Sequence, residues 1–123
     1  MAAKLQLLVV DDEEITGKRL KTALEKYGYA VEVFQSGRQA IERLQEREFD
    51  IVVTDIRMDD ADGLAVLEAV QKSSPRTKTI LITGFATAEV ARGALAKGAF
   101  DLIAKPFQPK DLRKVIEQAA SAL

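Results

Sequence analysis

A chain of 123 residues, 30% of them charged and with a formal net charge of −1, is long enough for one core and too short for two. It shows neither the basic excess of a nucleic-acid binder nor a charged tethering tail. With no cysteine and no histidine, it can form no disulfide, no thiolate site and no phosphohistidine of its own, and a bound metal must take oxygen ligands, which favours Mg²⁺, Mn²⁺ or Ca²⁺ over zinc.

Met1–Gln6 has one lysine and no long apolar stretch, so it does not read as a signal peptide. Leu7–Val10 is the first nearly continuous apolar run, and Asp11-Asp12 close it. Leu20, Ala23, Leu24 and Tyr27 then recur at helical spacing, with Gly28 placed for a left-handed cap. Val31-Glu32-Val33 alternates, as a half-exposed edge strand does. A shorter helical stripe, Ala40, Ile41 and Leu44, leads to the apolar run Ile51-Val52-Val53-Thr54, which ends in Asp55. Leu64, Leu67 and Val70 mark a third helix running towards Pro75, and Ile80–Ile82 is followed by Thr83-Gly84. Thr87–Lys97 is alanine-rich, weakly amphipathic and closed by Gly98. Leu102–Ala104 ends in Lys105-Pro106. The last stripe, Leu112, Val115, Ile116 and Ala119, has Pro109 in its first turn. Continuous β-branched strands alternating with helices predict an α/β fold of five β-α units, with a parallel sheet covered on both faces. No apolar run approaches the ~18 residues of a membrane span, so a soluble cytoplasmic domain is expected.

Four of the strand runs end in a group suited to phosphate or metal. In a parallel sheet the carboxyl ends of the strands share one mouth, where ligands bind. Asp11 and Asp12 there would repel each other unless a hard cation lay between them. The competing reading makes one of them an N-cap, with Glu14 completing a capping box to Asp11. Asp55 reads either as a turn acid or as a carboxylate nucleophile that forms an acyl phosphate. Thr83 supplies a hydroxyl beside a glycine that lets a ligand approach the backbone. Lys105 supplies a compact positive charge, and Pro106 is a candidate cis peptide. Each signal is ordinary alone; together on one rim they describe a site that accepts a phosphoryl group.

The stretches Leu8-Val9-Val10-Asp11-Asp12-Glu13, Asp55-Ile56-Arg57-Met58 with Asp62-Gly63, Thr83-Gly84-Phe85-Ala86-Thr87, and Gly98-Ala99-Phe100-Asp101 leading to Lys105-Pro106-Phe107 resemble the receiver domain of two-component response regulators, most of all the nitrogen-regulation (sigma-54 activator) type. The resemblance covers the whole chain, residues 1–123, as one receiver domain. It implies a flavodoxin-like (βα)₅ sheet of strand order 2-1-3-4-5. It also implies that Asp55 is the phosphoacceptor, that Asp12 binds Mg²⁺ directly with Asp11 acting through water, and that Arg57 offers its backbone carbonyl to the metal. Thr83 and Lys105 would contact the phosphoryl oxygens. The phosphoryl donor would be a sensor histidine kinase or a histidine phosphotransfer protein. The output would be a switch in the surface of the fourth helix, fifth strand and fifth helix, to which an output domain or a second copy could bind. Such a domain promotes its own phosphorylation and slow dephosphorylation without being an enzyme in the usual sense, and contacts neither nucleic acid nor membrane directly.

Two positions depart from the family pattern. Asp59 stands where many receivers have proline, and with Asp60 and Asp62 it makes an acidic loop whose Asp62 is a candidate helix cap. Leu102 stands where the family often carries a rotating Tyr or Phe, and strand alternation predicts that Phe100, two residues earlier, shares its face. Alternatives are a haloacid-dehalogenase-like phosphohydrolase, whose D-x-D motif Asp11–Ile15 lacks, a flavodoxin-like cofactor binder, whose hydroxyl-rich loop is missing, and a degenerate receiver acting only through contacts. A stand-alone receiver and a piece of a longer regulator read alike.

Overall fold

A computed structural model describes residues 4–58 and 62–123. Five strands, β1 (Gln6–Val10), β2 (Ala30–Phe34), β3 (Ile51–Asp55), β4 (Lys78–Thr83) and β5 (Asp101–Ala104), alternate with five helices, α1 (Glu14–Lys26), α2 (Gly37–Glu46), α3 (Gly63–Ser73), α4 (Ala88–Ala96) and α5 (Pro109–Ser121). The strands form one sheet in the order β2-β1-β3-β4-β5, and all four pairings are parallel. The fold and strand order are those expected from the sequence.

Alternation along the strands divides the core. Leu7, Val9, Ile51, Val53, Ile80 and Ile82 point to one face and pack with Leu20 and Leu24 of α1 and Leu112, Ile116 and Ala119 of α5. On the other face Leu8, Val10 and Val52 meet Ala40 and Leu44 of α2 and Val66 and Val70 of α3. A smaller cluster, Leu67, Leu81, Ala94 and Ala99, lies under α4. β2 is one of the two edge strands, and only Val31 of it is buried. Its Glu32 accepts hydrogen bonds from Arg43 and Arg47, which places charge along the exposed edge. Gly28 and Gly98 follow α1 and α4 with φ of 95° and 103°, the left-handed caps that the sequence anticipated.

Two expectations fail. Asp11 and Glu14 form no capping box: α1 begins after Glu13, which makes no side-chain cap, and Asp11 Oδ1 instead accepts the Glu13 N–H at 2.8 Å. The Asp11 side chain is occupied in the turn and lies two residues before the cap position, Glu13. Phe100 does not share a face with Leu102. Leu102 packs with the cluster under α4, whereas Phe100 packs on the α1–α5 side. β5 begins only at Asp101, and the turn after Gly98 delivers Phe100 before strand alternation applies.

Candidate functional site

Register brings the predicted residues to one rim. Val10 pairs with Thr54, Asp55 with Ile82, and Thr83 with Ala104. Asp11 is therefore one residue beyond β1, Asp55 and Thr83 end β3 and β4, and Lys105 is one residue beyond β5. Sequence distance disappears because every parallel strand stops at the same edge.

Asp11, Asp12 and Asp55 each bring a carboxylate oxygen within 4.8 Å of the other two. Asp11 and Asp55 are buried, while Asp12 is exposed. Lys105 Nζ lies 2.9 Å from Asp55 Oδ1, and Asp55 Oδ2 is buried with no hydrogen-bond partner. Burial pushes Asp55 up, the Lys105 contact opposes this, the Asp11 charge adds to it, and the acid comes to about 6. Burial alone would lower Lys105, but hydrogen bonding and attraction to Asp55, with the fields of Asp11 and Glu13, raise it overall. The lysine thus stays cationic against an acid that ionises reluctantly. A crowded set of oxygen donors with an unsatisfied buried oxygen fits a hard divalent cation, which prefers such ligands and tolerates retained water.

The backbone around the acid is tightly set. Ile56 N–H donates to Ile82 O at 2.9 Å and Gly63 N–H to Ile56 O at 2.7 Å, while Thr54 Oγ1 donates to the Asp55 carbonyl at 3.0 Å. A Cβ on Gly63 would lie 2.2 Å from that carbonyl oxygen, so only glycine lets the first turn of α3 approach the acid this closely. Asp62 caps α3 by accepting the Ala65 N–H at 3.0 Å, as expected; Asp59 and Asp60, the rest of the acidic loop, lie outside the described residues.

Thr83 Oγ1 accepts the Phe85 N–H at 3.0 Å. The Lys105–Pro106 peptide is cis, and the Lys105 N–H donates to Thr83 O at 2.8 Å, which ties the lysine's backbone to the threonine's. The guanidinium of Arg57 lies 4.8 Å from the centre of the Phe85 ring, a cation–π contact joining the β3–α3 and β4–α4 loops. Asp11, Asp12, Asp55 and Lys105 thus converge, with Thr83 on the adjacent strand end. Leu102 lies away from them in the cluster under α4. The Gly63 contact and the Arg57–Phe85 pair had no sequence signal of their own, because each depends on how separate loops meet.

Residues 7–117 match the response regulator receiver domain. The chain belongs to that family. Receivers are signalling domains of two-component systems, and phosphorylation and Mg²⁺ binding at an acidic pocket are general to them. The chain is 36% identical over 115 residues to the transcriptional regulatory protein ZraR of Escherichia coli O157:H7, covering 94% of this chain and 26% of that protein. It therefore spans about a quarter of the length of such curated relatives. Among solved structures, a CheY-like receiver domain protein from Methanospirillum hungatei JF-1 superposes with a TM-score of 0.91 at 30% identity, covering 98% of this chain and 96% of that one. The beryllofluoride-activated NtrC4 receiver domain dimer superposes with a TM-score of 0.88 at 32% identity, covering 95% of this chain and 97% of that one. No helix among the described residues is long and apolar enough to cross a membrane.

Proposed function

We propose that Asp55 takes a phosphoryl group from the phosphohistidine of a partner kinase or histidine phosphotransfer protein. A carboxylate oxygen of Asp55 attacks phosphorus, the P–N bond breaks, and the histidine leaves with the electron pair and recovers a proton. The observation that carries this reading is the state of Asp55: buried at a strand end, with one oxygen on Lys105 and the other unpartnered beside two further acids. Asp12 and Asp55, the Arg57 carbonyl, and Asp11 through water would hold Mg²⁺. Bound there, Mg²⁺ would offset the repulsion among the carboxylates and supply Lewis-acid stabilisation of charge on the transferring group. Lys105, beside Asp55 Oδ1, would neutralise one phosphoryl oxygen, and the Thr83 hydroxyl would donate to another.

Residues 1–123 act in this reading as one receiver domain in the cytoplasm. The phosphorylated form changes the surface of α4, β5 and α5, which meets an output domain or a second copy. The domain assists its own phosphorylation, and hydrolysis is slow because Phe85 offers no group to orient water and Arg57 cannot act as a base.

Asp55→Asn tests the assignment. It keeps the shape and removes the nucleophile, so labelling by a histidine kinase or acetyl phosphate disappears; undiminished acid-labile phosphate on that variant rejects the assignment. Mg²⁺ raises the melting temperature of the wild type by mass action, and Asp12→Ala weakens that effect more than Asp11→Ala does. No metal response, or the reverse order, rejects the ligand roles.

A further inference from the structure

Position 102 has no aromatic ring to move, and Leu102 is already packed with Leu81 and Ala94. Phe100 is committed to the opposite face. A third aromatic residue is free to respond. Phe85 is 63% exposed, unusual for a large apolar ring, and its N–H is held by Thr83 Oγ1 at 3.0 Å. It stands at the rim of a cleft of about 270 Å³ lined also by Ile56, Leu64, Val90, Gly93 and Ala94. A cavity of roughly 150 Å³ already accommodates benzene, so the cleft has room for the ring. A Cβ added to Gly84 or Gly93 would meet nothing within 4 Å, which leaves space on both sides of the path.

We infer that Phe85 is the residue that couples Thr83 to α4: when the Thr83 hydroxyl turns to a phosphoryl oxygen, the ring leaves Arg57 and enters the cleft beneath α4. Rotation of the Thr83 side chain about χ1 towards the phosphoryl oxygen takes Oγ1 off the Phe85 N–H and releases the backbone that holds the ring outside. Burial of apolar ring surface favours the inward position, and the exposed cation–π contact that opposes it is a weak one. α4 is suited to yield, since Ala94 is its one buried residue. The ring would press on Val90 and Ala94 and so shift the helix, the part played by a β5 aromatic in receivers that have one. The device rests on Asp55 as the phosphoacceptor, and its test separates the two claims.

The experiment is NMR of the protein with Mg²⁺, before and after beryllofluoride, on the wild type, Phe85→Ala and Gly93→Val. In the wild type, beryllofluoride produces nuclear Overhauser contacts between the Phe85 ring and the methyls of Val90 and Ala94, and shifts the Phe85 amide. Phe85→Ala keeps the amide shifts around Asp55 and Lys105 but loses at least half of the shift along α4. Gly93→Val, which narrows the cleft at its α4 wall, weakens the ring contacts and reduces the α4 shift in step with them. Wild-type α4 shifts without new ring contacts, or a full α4 response in either variant, overturn this inference alone. No beryllofluoride response at Asp55 in the wild type overturns both it and the phosphoacceptor assignment.

Discussion

α5 and α4 flank the same sheet and are held to it very differently. α5 seats Leu112, Ile116 and Ala119 in the largest cluster of the molecule and starts with Pro109 and a reciprocal cap between Gln108 and Asp111. α4 buries only Ala94, leaves Leu95 49% exposed, and has a cleft beside it. A charge placed at the mouth acts on both flanks, and the one with fewer buried contacts gives way. The difference teaches where the proposed switch would be expressed most: at the α4 edge of the α4-β5-α5 surface, with the packing of α5 against α1 and the sheet as the firmer side.

The largest expected effect tests the fixed side. Ile116→Ala empties a fully buried position and should cost about 2–5 kcal/mol, whereas Leu95→Ala should stay within about 0.5 kcal/mol. Urea unfolding measures both, and equal losses would erase the contrast. The next concerns the acid between the two flanks. Because Asp55 is raised to about 6, the folded protein holds a proton between the ordinary carboxylate range and pH 6 that the unfolded chain has released. In EDTA, stability should therefore fall as pH rises through that window and stay lower above it. Asp55→Asn should remove the fall and gain on the order of 2 kcal/mol at pH 7; a wild type as stable at pH 7 as at pH 4.5 relative to the variant contradicts this. Hydrogen exchange gives a smaller, local reading. Amides of α4 should exchange through partial opening, well before those of α5, which wait for global unfolding. Matching protection in the two helices would break the comparison. The smallest effect is kinetic. Phe85→Glu and Arg57→Asn each supply a group that can orient water and should shorten the phosphorylated lifetime several-fold in excess Mg²⁺; equal decay in all three proteins would show that these two positions do not limit hydrolysis.

The sheet and its rim were legible because strand-end chemistry survives translation into three dimensions. Parallel strands stop together, so Asp11, Asp55, Thr83 and Lys105 could be grouped without coordinates. Alternation misplaces Phe100 because periodicity holds only inside a strand, and β5 starts one residue later. The competing capping-box reading fails for a reason the pattern does not reveal: the Asp11 side chain is spent on the Glu13 N–H. The Arg57–Phe85 contact was out of reach for another reason: it joins two loops whose relative position no local rule specifies.

Gly63 carries a consequence for how this sequence can vary. Its missing side chain is the clearance between α3 and the Asp55 carbonyl, where even one carbon would collide at 2.2 Å. Surface positions of the same helix can drift freely, but substitution here must displace either the helix or the acid. The approach that holds Asp55 in place therefore sets an evolutionary limit as well: a lineage that loses this glycine must rebuild the junction of β3 and α3 before it can keep a working acid.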